Sequence, residues 1–298
     1  MNPLHQLRDE VLTHAKNALT ATAIPRVDLY RVSQPLLLPP DIYPPFVSLI
    51  LQGEKTLQVG NQAIPYAAGE TFTASFDLPA SGEITAASEI APYLAVRLMV
   101  DFATVSDLLH ELPAAAGNIP PQGIAVNRVD DALADAWLRM VRLLARPGEI
   151  RVMAPLIERE ILYRLLQGPQ GIVLRQAAAV NGPFAKIRKA LFWMRMHYAD
   201  VCRIDELAAI AGMSVSAFHR GFRASTGLSP LQYQKHLRLY EARKMLVQRP
   251  GNVAAVAADV GYESLTQFTR EYARLFGEPP ARSIRKMRLS APGYPAKS

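Results

Sequence analysis

Only one of the 298 residues, Cys202, is a cysteine. A single thiol excludes an intrachain disulfide framework and a zinc site built from cysteines alone, and it fits a reducing compartment. Histidine is missing where a metal would need it. None lies between His14 and His110, so the strand-rich stretch lacks the imidazoles that usually hold a catalytic metal in a small barrel. No Gly-rich phosphate loop is present. Gly212-Met213-Ser214-Val215-Ser216 comes nearest to a nucleophile elbow, but it lacks the closing glycine and follows no strand. No apolar run approaches the roughly 20 residues of a spanning helix. The amino terminus, MNPLHQLRDE, has neither a basic leader nor a long apolar stretch. The chain is therefore expected to have no catalytic residues, no metal or cofactor, no membrane partner and a cytoplasmic location.

What is present is an apolar, charge-polarised chain. Half of the residues are hydrophobic and a fifth are charged, which excludes wholesale disorder and supplies a sizeable core. The length suggests two domains. The net charge of +7 divides unevenly: residues 1–180 carry 14 Lys and Arg against 18 Asp and Glu, whereas residues 181–298 carry 19 against 8. A mildly acidic front and a back at +11 imply that a polyanion meets the back, unless the excess only solvates a face.

The front half changes period twice. Leu4, Leu7, Val11, Ala15 and Ala18 recur at steps of three and four, one stripe of a helix. From about 27 to 100 the period becomes two. Phe46–Leu51 is a short apolar run; Lys55–Val59 and Gln62–Tyr66 flank Gly60-Asn61, a two-residue hairpin signal; Glu70–Phe76 and Tyr93–Val100 follow. Short strands at this spacing favour a sandwich or barrel. Its interior draws on Tyr30, Phe46, Phe72, Phe76, Tyr93 and Arg97. Such an interior holds one small ligand or is filled solid; alternation alone does not define a pocket lining. Leu133, Trp137, Met140, Val141 and Leu144 then share a helical face, and Ile157, Ile161 and Leu165 mark a second helix. These paired helices, about 130–167, cover the barrel or pair with a second copy of the chain.

The back half repeats itself. A shift of 50 positions pairs Ser214 with Ser264, Phe218 with Phe268, Arg220 with Arg270, Phe222 with Tyr272, Gly227 with Gly277 and Pro230 with Pro280. Just upstream a shift of 49 pairs Leu207 with Val256, Ala208 with Ala257 and Gly212 with Gly261. Each copy reads as a short apolar helix (205–211; 253–259), a glycine turn, a Ser N-cap and a second helix with two aromatics on its inner face. That is a helix-turn-helix, whose second helix can enter a DNA major groove. A helix over Ser229–Val247, with Ser229 and Gln232 at capping-box spacing, joins the copies. Its length of about 27 Å suits two recognition helices in successive major grooves, about 34 Å apart. Another helix, Phe184–Tyr198, is expected beneath the first copy.

Helical phase selects the outward residues. Ser216, His219 and Arg220 in the first copy, and Thr266, Gln267 and Arg270 in the second, are the candidate base readers. Arginine pairs with guanine edges and glutamine with adenine edges; an exposed arginine that misses the base touches phosphate or solvent instead. Gln267 also stands at capping-box spacing from Ser264. Arg223, Thr269 and Arg274 are candidate phosphate contacts.

At these residues the chain resembles the AraC/XylS family of transcription regulators. ELAAIAGMSVSAFHRGFRASTGLSPLQYQKHLRLYEARKML (206–246) and VAAVAADVGYESLTQFTREYARLFGEPPARSIR (253–285) are similar to its paired helix-turn-helix domain. LILQGEKTLQVGNQAIPYAAGETF (49–72) and PYLAVRLMVD (92–101) are similar to the cupin-type N-terminal domain of one branch. The resemblance places base contacts at Ser216, His219 and Arg220, and around Thr266, Gln267 and Arg270. It implies double-stranded DNA, a small effector and RNA polymerase as partners, with activation as the usual output; the paired helices and DNA symmetry add a homodimer as an expectation. Members that sense reactive compounds through sensor-domain cysteines are a poor match, because Cys202 lies in the other half. The expected fold is α+β: residues 1–170 a cupin-like, effector-sensing β-barrel with flanking helices, 171–183 a linker, 184–290 an all-α tandem helix-turn-helix domain, and 291–298 a tail. An effector-independent DNA-binding regulator, or a barrel enzyme fused to a DNA-binding domain, would share these features.

Overall fold

The computed structural model describes residues 2–60, 62–113, 123–179, 182–249 and 251–289. Asn61 of the expected hairpin and the 291–298 tail lie outside them.

The front half begins with helix α1 (Pro3–His14), capped by the Asn2 side chain. Nine strands follow: β1 (Leu19–Ala21), β2 (Val27–Val32), β3 (Leu36–Tyr43), β4 (Phe46–Gln52), β5 (Glu54–Val59), β6 (Gln62–Ala67), β7 (Glu70–Ala74), β8 (Leu78–Ala86) and β9 (Tyr93–Met99). Helix α2 (Phe102–Glu111) and strand β10 (Ile124–Arg128) come next. The strands form a six-stranded sheet in the order β1-β2-β9-β4-β7-β10 and a four-stranded sheet in the order β3-β8-β5-β6. The expected barrel is thus an unclosed, jelly-roll-like sandwich of two antiparallel sheets. β10 and β1 fall outside the expected limits of 27–100. β1 has only three residues, and β10 gains its place by pairing with β7 across more than 50 residues of chain, for which no local pattern exists.

The large sheet is covered on both faces. Along β4, Phe46 and Ile50 turn into the sandwich, while Val47, Leu49 and Leu51 join the cluster formed with α1 and the later helices. β9 divides likewise: Tyr93 and Ala95 face inward, and Leu94, Val96 and Leu98 face the helices. This two-sided burial explains why both strands read as continuous apolar runs. The covering helices are α3 (Asp131–Arg142) and α4 (Pro147–Gln167), close to the expected pair. Within the segment expected as a linker, Gly171–Ala178 forms helix α5, with Val173, Leu174 and Ala177 fully buried. Its alanine-rich composition looked like connector, and tertiary burial makes it helix.

The back half contains α6 (Pro183–Met196), α7 (Ile204–Ile210), α8 (Val215–Thr226), α9 (Pro230–Gln248), α10 (Val253–Asp259), α11 (Leu265–Phe276) and α12 (Pro280–Leu289). The second copy has its own core around Val256, Phe268 and Tyr272. The first copy shares one continuous core with the sandwich interior. Leu228, just past α8, sits against Gly60, where an added Cβ would lie 2.6 Å from the Leu228 Cδ2. The Tyr233 hydroxyl donates to the Asp77 carbonyl at 2.8 Å, Arg195 pairs with the Asp77 carboxylate at 3.1 Å, and Arg243 donates to the Pro40 carbonyl at 3.0 Å. Among the described residues, no helix is long and apolar enough to cross a membrane.

Candidate nucleic-acid interface and sandwich cavity

α8 and α11 are built alike, each 12 residues long. Ser214 caps α8 by accepting from the Ala217 amide at 3.4 Å, and Ser264 caps α11 by accepting from the Gln267 amide at 3.3 Å. Both helices stop at a glycine in the left-handed region, Gly227 at φ 73° and Gly277 at φ 80°. Phe218 and Phe222, and Phe268 and Tyr272, are fully buried. That inner stripe turns the opposite faces outward. Ser216, His219, Arg220 and Arg223 are exposed on α8, as are Thr266, Gln267, Arg270 and Arg274 on α11; Thr269 is half-buried. Among the described residues, Arg220, Arg223 and Arg270 make no ion pair or hydrogen bond with protein, unlike most arginines of the front half. Gln267 does not close a capping box; its Nε2 donates to Glu271 Oε1 at 3.5 Å.

Both helices present the same end. The sandwich touches the carboxyl-terminal end of α8 through Leu228, and β3 contacts α11, where Leu275 and Phe276 pack against the shared core. The candidate readers Ser216, His219, Arg220, Thr266, Gln267 and Arg270 are all exposed.

Two polar networks brace this arrangement, and neither was anticipated from the sequence. Arg238 on α9 donates to the carbonyls of Tyr198 (2.7 Å), Ala199 (3.1 Å) and Asp200 (2.8 Å) before α7, and to that of Gly261 (2.8 Å) in the second turn. One side chain thereby ties the second helix-turn-helix to the approach to the first. Gly261 has φ 85° and would place a Cβ 2.1 Å from the Ala199 oxygen, so only glycine admits this contact. Under α11, buried Glu271 accepts from the Tyr262 hydroxyl and Lys235 Nζ, both at 2.9 Å. Burial alone would raise the Glu271 pKa, but the hydrogen bonds from Lys235 and Tyr262 outweigh it and hold the carboxyl below its usual range. Arg238→Ala is expected to lower stability by about 2–3 kcal/mol, the worth of charged hydrogen bonds. It should also weaken binding to a two-groove DNA site more than to either half of that site. Urea unfolding and gel-shift titration check both effects, and equal losses on whole and half sites would contradict the bracing role.

The interior of the sandwich is polar at its centre. Tyr30, Tyr43, Phe46, Ser48, Lys55, Tyr93 and Arg97 surround a cavity of about 10 Å³, room for one water. Tyr30, Phe46, Tyr93 and Arg97 were expected inside; Tyr43, Ser48 and Lys55 were not. Phe72 and Phe76 are buried beside this group rather than lining the cavity. Register assembles the wall: Asp28, Arg97 and Ser48 stand opposite one another across β2, β9 and β4. Arg97 forms a short ion pair with Asp28, and its guanidinium lies 5.1 Å from the Tyr30 ring centre. Lys55 comes from the other sheet, with Nζ 5.7 Å from the Tyr43 ring centre and 6.0 Å from that of Tyr30. Burial, reinforced by Arg97, pushes the Lys55 pKa down to about 7. The buried Tyr66 hydroxyl has no hydrogen-bond partner; Ser48 and Tyr93 lie beside it without bonds of normal geometry. The visible clue was period two, because Lys55, Leu57 and Val59 alternate inward on β5.

Cys202 is half-buried, and burial is the main cause raising its thiol pKa to about 11. It stays protonated near neutrality, which is unsuited to thiol sensing.

Two equivalent helix-turn-helix units joined to a sheet sandwich define a DNA-binding transcription regulator. Residues 23–173 match the family model of the AraC-type transcriptional regulator N-terminus, and residues 207–286 match a helix-turn-helix domain model. The chain belongs to the AraC family of transcription regulators. It is 27% identical over 164 residues to the HTH-type transcriptional activator RhaS of Salmonella schwarzengrund (strain CVM19633), covering 54% of this chain and 57% of RhaS. The chain thus spans little more than half the length of the curated relatives it matches. In fold it is similar to ToxT from Vibrio cholerae O395, with a TM-score of 0.57, 11% identity, and coverage of 87% of this chain and 97% of that one. An apo ToxT variant from Vibrio cholerae strain SCE256 gives a TM-score of 0.55 at 10% identity, with 87% and 96% coverage. The matched families and relatives are regulators, not enzymes, and the fused-enzyme reading is set aside.

Proposed function

We propose that the chain is a cytoplasmic transcription activator that reads two adjacent major grooves of double-stranded DNA and responds to a small molecule held in its sandwich. The observation that carries this reading is the pair of capped helices with exposed, unpaired Arg220 and Arg270 at equivalent positions. Ser216, His219 and Arg220 read one groove; Thr266, Gln267 and Arg270 read the next, with Gln267 released from Glu271 on binding. Arg223, Thr269 and Arg274 contact phosphate. Residues 1–170 serve as the sensor and 184–290 as the reader. RhaS, named as a transcriptional activator, supports activation; contact with RNA polymerase is part of the proposal through the family resemblance. ToxT, solved with (E)-4-(8-methylnaphthalen-1-yl)but-3-enoic acid, supports an effector in this fold. The filled interior favours the competing reading of an effector-independent regulator. Mapping of bound genomic sites, followed by transcription assays with and without candidate metabolites, tests the proposal; specific binding whose output no metabolite changes would favour the competitor.

The homodimer of this reading uses the outer face of α4. Val152, Leu156 and Tyr163 are 66%, 58% and 42% exposed, and they fall within about 40° on that helix. Leu156→Glu is expected to convert a dimer into a monomer in sedimentation velocity while leaving the fold intact; a variant that remains dimeric would remove α4 from the interface.

A further inference from the structure

Lys55 is 8% exposed, and among the described residues its ammonium makes no ion pair or hydrogen bond. Its neighbours in the cavity are tyrosine rings and a second cation, Arg97. The one carboxylate in the row, Asp28, is committed to Arg97. When Lys55 is protonated, the cluster Lys55, Arg97 and Asp28 therefore carries one uncompensated positive charge, in a place where an isolated charge is strongly disfavoured. The orphaned Tyr66 hydroxyl lies beside the same group. A core built only for packing would place a methionine or leucine at this inward position, as β5 does with Leu57 and Val59.

Resting on the effector reading above, we propose that the sandwich recognises an organic anion: a carboxylate whose oxygens meet Lys55 Nζ and the Tyr66 and Tyr93 hydroxyls, and whose apolar body lies among Tyr30, Tyr43 and Phe46. The water-sized cavity marks the place of the head group, and the aromatic side chains move apart to admit the body. An incoming carboxylate supplies the counter-charge that protonated Lys55 lacks in the fold. Aromatic and short aliphatic acids fit this wall; amines do not.

The test is isothermal titration calorimetry on the full chain with sodium benzoate and sodium acetate, against benzamide and benzylamine. Benzoate is expected to bind, benzamide to bind at least tenfold more weakly, and benzylamine not at all. Lys55→Met and Lys55→Gln should each lose roughly 10- to 100-fold in benzoate affinity, the worth of a charged hydrogen bond, while retaining wild-type DNA affinity. Benzamide binding as tightly as benzoate, benzoate binding unchanged in both variants, or no binding by either acid overturns the anion assignment. In those cases a broad panel of neutral metabolites decides the effector reading separately: stabilisation by any of them keeps it, and none removes it along with this inference.

Discussion

Alanine at Arg220 or at Arg270 is expected to cost the selected operator about 1–3 kcal/mol each. The two side chains stand on separate recognition helices with no shared partner, so their effects should add. The double variant would lose about 2–6 kcal/mol, or roughly 30-fold to more than 10⁴-fold in affinity. Binding to unrelated DNA should change far less if, as proposed, Arg220 and Arg270 contact bases and do not act by charge alone. Arg223→Ala supplies the contrast: for its proposed phosphate contact, the loss should weaken all sequences alike and lower the salt slope by about one. Both arginines are exposed and make no ion pair, so their removal disturbs no internal bond and the readout is binding rather than folding. Gel-shift titrations over a salt series, on operator and on scrambled DNA, measure each part. Equal losses on both DNAs would turn Arg220 and Arg270 into phosphate contacts.

Lys55→Met is expected to stabilise the ligand-free protein, and by a pH-dependent amount. Burial is the first cause and Arg97 the second in pushing the lysine from 10.5 to about 7. Between those values the unfolded chain binds a proton that the native chain does not. Wild-type stability should therefore rise with pH across that window. Below pH 7 the lysine is charged in both states and the full cost, several kcal/mol, is present; above about 10.5 it is gone. The groups facing Lys55 are Arg97, already paired with Asp28, and the phenols of Tyr30, Tyr43 and Tyr93, of which Tyr93 is held well above its ordinary range by burial. Methionine of similar length removes the charge and keeps the packing. Its advantage in urea unfolding should be largest below pH 7 and fade toward pH 10. Parallel curves for the two proteins would show that Lys55 is charged in the fold at every pH tested.

The reader was largely legible in the sequence. Its signals are short-range: a Ser cap three residues before the amide it serves, aromatics four apart, a glycine at each stop. All lie within about four turns of helix, and their recurrence at a shift of 50 confirmed them twice over. Helical phase then exposed Arg220 and Arg270 without further information. Gln267 shows where phase stops helping, since its side chain reaches along the helix to Glu271. The sandwich was less legible. Period two identified strands and inward positions, but it does not say which inward residues meet. The edge strand β10, the helix within 171–178 and the open sandwich each depend on partners far away in the chain.

Composition, period and repetition by themselves determined an α+β chain with a basic back half and two matched helix-turn-helix units. Local hydrogen bonding and side-chain phase act within a turn or two, so they are written into adjacent residues. Tertiary structure alone decided that Lys55 faces Arg97 and three tyrosines without an anion. It also decided that Arg238 ties one reading unit to the other, and that the sandwich and the first unit share one core. These arrangements join residues tens to hundreds of positions apart. Their energies depend on burial and on who the neighbours are, and only the folded chain supplies either.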